Sequence, residues 1–230
     1  FEELSKGVLN KVINIAKYEN FKFNKLESLE IIGEEKSGYS KIIVIGSGES
    51  SSLSLKDQDL IGGKILQLGS GSLGGDIDVL ISKNIDNDKG IERIGYGAIL
   101  GSYRFDKYKS KKKKINLPKN IKIISKNFKL LTKKLNQKKS VAEGVFLARD
   151  LVNEPSNILN PESYAKRIKE LSKYGLKVEV LNETKMKKLG MDSLLGVGRG
   201  SQYESQLVII KWDGLKNKTK KPICFVGKGV

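Results

Sequence analysis

A chain of 230 residues with one cysteine and a formal charge of +17 is long enough for two modest domains, each able to bury a core without disulfide staples. It contains no histidine, which excludes Ser-His-Asp and Cys-His catalysis and every zinc site built on imidazole. No apolar run approaches the roughly 20 residues that span a bilayer, so no membrane partner is expected, and the lone Cys224 within an apolar stretch fits a small buried side chain in a reducing, cytoplasmic setting.

Leu4, Val8, Val12 and Ile15 or Ala16 recur at helical spacing, with Leu9 and Ile13 widening the stripe. They predict an amphipathic helix ending near Tyr18 or Glu19. Ser28 to Ile32 and Lys41 to Ile45 are β-rich runs separated by a turn-like segment, and the second leads into Gly46-Ser47-Gly48. A helix is predicted over 53–68, on Leu53, Leu60, Ile61, Ile65 and Leu68, despite Gly62 and Gly63. An interior strand over 77–82 and a glycine-tolerant helix over 91–103 follow. Strand and helix alternate, which is an α/β pattern.

A short strand is predicted over 121–125. From Asn127 a long helical pattern carries Phe128, Leu131 and Leu135, then Val141, Val145, Ala148, Leu151 and Val152. It stops at Asn153-Glu154-Pro155, because the residue before a proline is pushed out of the helical region. Its length suits a connector, so the expected organisation is an α/β domain over 1–136, a linking helix over 137–155 and the start of a second α/β unit over 156–230. Asn160 as N-cap and Pro161 at the first helical position begin a helix that ends by Gly175. A strand over 176–181 and a short helix from Asn182 to Gly190 come next, then strands over 194–197 and 206–212. The final run, Pro222 to Gly227, is apolar and bounded by turn residues, and reads as a strand buried on both faces with Lys228 at its end. The chain opens on Phe1 and stops at Val230, and is expected to be part of something longer.

Few motifs carry chemistry. Lysine is scattered along the chain, and its one cluster, Lys107, Lys109 and Lys111 to Lys114, reads as a solvated linker, with a nucleic-acid contact as the alternative. Gly69-Ser-Gly71-Ser-Leu-Gly74 has the letters of a dinucleotide fingerprint but lacks the strand before it and the helix after it. Gly46-Ser-Gly48 reads as a tight turn, and Gly196 to Gly200 as a glycine-rich connection. Asp76 and Asp78 share one face of a strand, the plain reading being its solvated start. Arg149, Asp150 and Glu154 are helix-end charges with capping and pairing as their ordinary roles. Lys228 is by default a solvated cation. As a metal ligand it must be neutral, its reference pKa of about 10.4 driven down by a dication and by desolvation.

Several blocks together resemble one family. Val141-Ala-Glu-Gly-Val-Phe-Leu-Ala-Arg-Asp-Leu-Val-Asn-Glu-Pro155, Asn160-Pro-Glu-Ser-Tyr-Ala165, Lys187-Lys-Leu-Gly-Met-Asp-Ser-Leu-Leu-Gly-Val-Gly198 and Phe225-Val-Gly-Lys-Gly-Val230 are similar to the leucyl (cytosol) aminopeptidase family, as is Gly97 to Tyr108. The resemblance implies an N-terminal macro-domain-like α/β module, a linking helix and the truncated start of a catalytic α/β domain. It implies a peptidase that removes N-terminal residues, leucine or other apolar ones by preference, with two divalent metal ions, manganese or zinc, activating a water. A homohexamer acting on peptides is the implied assembly. The family's metal-binding lysine falls on Lys228, and its other ligands and catalytic residues are expected beyond Val230, so the 230 residues alone are expected to be inactive. The alternative is a non-catalytic DNA-binding or oligomerisation module.

Overall fold

A computed structural model describes residues 6–33, 38–49, 53–71, 75–82, 88–111, 116–215 and 221–229. Leu4, Gly74 and Lys112 to Lys114 lie outside the described residues. The chain divides into two compact units, Phe1–Ala148 and Arg149–Val230. It is a mixed α/β protein, and each unit joins helices to small sheets.

In the first unit, helix α1 (Lys6–Tyr18) buries Val12 and Ala16. Strands β1 (Ser28–Ile32) and β2 (Lys41–Ile45) pair antiparallel, with Ile31 opposite Ile42. Helix α2 (Leu55–Gly69) opens on a reciprocal cap: the Asp57 N–H donates to Ser54 Oγ at 3.2 Å, and the Ser54 N–H donates to Asp57 Oδ2 at 2.9 Å. β3 (Ile77–Val79) runs parallel to β4 (Ile121–Ile123), and α3 (Asp88–Gly101) lies between them in sequence. Ile61 of α2 and Ile94 of α3 centre the core, with Leu26, Leu53, Ile65, Ile81 and Ile123 packed around them.

The α2–α3 contact explains why α2 holds glycines that weaken a helix. A methyl group on Gly62 would strike the carbonyl oxygen of Ile94, and one on Gly97 would strike that of Asp59. Glycine here lets two backbones meet. Gly46 serves the same end: a methyl would run into the Phe23 and Asn24 carbonyls, while the Gly46 N–H donates to Glu27 O at 2.8 Å. The Gly46-Ser47-Gly48 segment thus closes on the loop between α1 and β1.

Helix α4 (Phe128–Asn153) is one continuous helix of 26 residues. In the second unit, Asn160 caps α5 (Pro161–Lys169) by accepting from the Ser163 N–H at 2.9 Å. A 3₁₀ turn (Glu170–Tyr174) ends on Gly175 at φ 85°, where a left-handed stop favours glycine. β5 (Lys177–Leu181) pairs antiparallel with β6 (Leu207–Lys211), Leu181 lying opposite Leu207. Between them stand α6 (Glu183–Lys188), capped by Asn182, and α7 (Asp192–Gly198).

Three expectations change. Residues 194–197 are helical, within α7: leucines suit a helix as well as a strand, and only Val197 in that run is β-branched. The strands β2 and β3 each have one partner among the described residues, so neither is interior, and β3 stops at Val79. Residues 222–227 form no strand. Phe225 and Val226 are 93% and 94% exposed, and Cys224 is exposed rather than buried. A strand needs a neighbour to take its backbone hydrogen bonds, and the described residues supply none.

Candidate functional site

Lys228 lies in the extended segment 221–229, all of it exposed. A methyl group on Gly229 would stand 3.4 Å from Tyr164 Cε1, so the segment ends against α5. The carboxylates of this unit are engaged elsewhere. Arg167 Nη1 donates to Glu154 Oε1 at 2.9 Å, with the Glu154 side chain almost wholly covered, which ties the end of α4 to α5. The Glu204 N–H donates to Glu162 Oε1 at 3.2 Å, and the Ser205 N–H to Glu183 Oε1 at 2.8 Å. These bonds hold the approach to β6.

A pair of dications needs several anionic oxygens around it to offset desolvation and mutual repulsion. Among the described residues no three His, Cys, Asp or Glu side chains converge. Lys228 offers at most one neutral nitrogen. The residues described here therefore do not fit a two-metal centre, and no catalytic step is derived through one.

The other sequence candidates take structural roles. Asp76 accepts from Asn120 Nδ2 at 2.8 Å and from Lys122 Nζ at 2.9 Å. The Lys122 hydrogen bond, then that of Asn120, holds its carboxyl below the usual range. The pair staples β3 to β4 at their exposed start. Gly69 follows α2 and precedes β3, the reverse of the order a nucleotide fingerprint requires. Gly198 ends α7 and faces the Ser205 hydroxyl. Arg149 and Asp150 lie in the last turns of α4.

One cluster was illegible in the sequence. Arg93 of α3 ion-pairs with Asp59 of α2, and its guanidinium stands 5.4 Å from the Tyr96 ring centroid. Lys138 of α4 reaches the same ring at 5.5 Å and Glu92 at 3.4 Å. Burial pushes the Asp59 carboxyl up by more than the Arg93 charge pulls it down. Asp59 Oδ1, Arg93 Nε and Gln58 Oε1 are buried without a partner. The first two are the unmade half of a side-on Arg–Asp pair. Its members are 34 residues apart, beyond any local pattern, and it pins α2, α3 and α4 together.

The matches to known proteins follow the same two-part layout. The description "Cytosol aminopeptidase family, N-terminal domain" matches residues 2–112, and "Cytosol aminopeptidase family, catalytic domain" matches residues 146–230. A probable cytosol aminopeptidase of Brucella melitensis is 38% identical over 229 residues, covering 97% of this chain and 47% of that protein. One from Ehrlichia ruminantium is 40% identical over 229 residues, covering 97% of this chain and 45% of its own. The chain thus spans about half the length of the curated relatives it matches. Among solved structures, a tomato leucine aminopeptidase mutant aligns with a TM-score of 0.75 at 24% identity, covering 88% of this chain and 41% of its own. The bottromycin maturation enzyme BotP in complex with Mn aligns at 0.72 and 23%, covering 86% of this chain and 42% of its own. At such identities the solved structures speak for the fold, whereas the ordered sequence matches reach nearly every residue; the chain belongs to the cytosol aminopeptidase family.

Proposed function

We propose that this chain serves a metal-dependent aminopeptidase, which releases N-terminal residues, leucine or other apolar ones by preference, from peptides. The observation that carries the reading is the order of the two family matches, residues 2–112 and then 146–230, on one chain. Two divalent ions, manganese or zinc, are the proposed cofactors, with Lys228 as one ligand. The printed description of BotP, in complex with Mn, supports a divalent metal. In this reading 1–136 is the N-terminal domain, 137–155 the linking helix and 156–230 the opening of the catalytic domain. A homohexamer and a cytoplasmic setting complete the proposal.

The test joins residues 1–230 to the unmatched half of the Brucella melitensis relative and assays leucine p-nitroanilide with manganese. Turnover by the chimera, absent from the 230-residue chain and depressed by Lys228→Ala without loss of fold, is expected. Equal metal-dependent turnover by the 230-residue chain, or a folded chimera with no activity, overturns the reading.

A further inference from the structure

The positive charge is less evenly spread than the lysines first suggest. Residues 107–142, between Asp106 and Glu143, hold fourteen lysines and no acidic residue, so this stretch carries fourteen of the seventeen net charges. It contains β4 and the first half of α4. Lys109 pairs with Asp106 at 2.6 Å, Lys122 with Asp76 at 2.9 Å and Lys138 with Glu92 at 3.4 Å. Lys111, Lys119, Lys126, Lys129, Lys133 and Lys139 are exposed. On α4 the buried Leu131 and half-buried Leu135 mark the inner side, while Lys129, Lys133, Asn136 and Ser140 follow at spacings of three and four on the outer one.

Large apolar side chains stand exposed among these lysines: Tyr108, Leu117, Ile124, Phe128 and Leu130, with Phe128 at 61% and Leu130 at 48%. Single exposed apolar residues are ordinary. Five within 23 residues of an acid-free stretch make a composite surface, with point charges for anionic headgroups and apolar side chains for the layer beneath them. Nucleic acid answers only part of that chemistry. Its phosphates take the lysines and its bases stack on aromatic rings, but it offers nothing to Leu117, Ile124 or Leu130. The stretch also contains no arginine, whose fork suits phosphodiester and base recognition.

We propose that this lysine-rich surface docks on an anionic lipid bilayer as a peripheral contact, with Phe128 and Leu130 entering the interfacial layer at the start of α4. It departs from the expectation of no membrane partner, which rested on the lack of a spanning run; peripheral docking needs none. It is independent of the peptidase reading.

The test is co-sedimentation of the 230-residue chain with vesicles of phosphatidylcholine and phosphatidylglycerol, and with phosphatidylcholine alone, at about 0.1 M salt. Binding to the anionic vesicles only is expected. Lys126→Glu, Lys129→Glu and Lys133→Glu together should weaken it by ~100-fold or more. The same three reversals at Lys177, Lys187 and Lys211 match the net charge and should change it by about threefold at most. Leu130→Gln, and separately Phe128→Ser, should each weaken it by roughly 5-fold with every lysine in place, circular dichroism confirming the fold. Equal binding to neutral vesicles, or equal losses from the two triple variants, overturns the proposal. So does binding to duplex DNA that is tighter than to vesicles and indifferent to Leu130→Gln, which would make the surface a nucleic-acid site.

Discussion

Asp57 serves two neighbours at once. Its carboxylate accepts from the Ser54 hydroxyl and backbone N–H at the head of α2 and ion-pairs with Lys25 at 3.0 Å. The Ser54 hydroxyl, then Lys25, holds its pKa at about 2 against an ordinary 3.8. A carboxyl lowered in the fold adds stability above its ordinary value and loses it as pH falls toward the lowered one. Urea midpoints should therefore drop between pH 4 and pH 2, and Asp57→Asn should flatten that slope; an unchanged slope in the variant contradicts this role. Arg93 sets the opposite problem, because Asp59 is already raised by burial. Arg93→Leu leaves that carboxyl without its partner and should destabilise the first unit by about 2 kcal/mol. Arg93→Leu with Asp59→Leu should recover most of the loss, since an apolar pair leaves no buried charge. A double variant as unstable as the single one in urea denaturation would show that the charge is not the cause.

Among elements, the helix ends were the most legible features. Asn160, Pro161, Gly175 and Asn182 act within three or four residues of where they stand, and each caps or stops a helix as its type predicts. Asn160→Ala should lower the stability of the second unit by about 1 kcal/mol, read from its thermal midpoint, and no change there would mean that the Ser163 contacts hold α5 alone. Helix interiors depend on what lies across from them. Gly97 abuts the Asp59 backbone, whereas Gly144 of α4 has open space around its would-be Cβ. Alanine should therefore act with opposite sign: Gly97→Ala destabilises by ~1–3 kcal/mol through overpacking, and Gly144→Ala stabilises by up to ~1 kcal/mol through helix propensity. Matching signs in urea denaturation would contradict the close α2–α3 approach. Residues 194–197 illustrate the limit of local reading, since Leu194, Leu195 and Val197 satisfy either period over four residues.

For the whole molecule, metal binding separates a ligand from a site. Lys228 stands on an exposed segment with no carboxylate cluster among the described residues, and nothing there favours its neutral form. Titrating manganese into the 230-residue chain should give no stoichiometric uptake. One-to-one binding that Lys228→Ala abolishes would reverse that conclusion. The sequence by itself determined the family, the alternation of helix and strand, the capped helix ends and the exclusion of imidazole chemistry, because these depend on residue type and short spacing. Only the tertiary structure decided that Gly62 and Gly97 join two backbones, that Arg93 answers Asp59 across two helices, and that Pro222 to Gly227 remains unpaired. Each of these depends on a partner distant in sequence, and a strand in particular exists only where another backbone takes its hydrogen bonds.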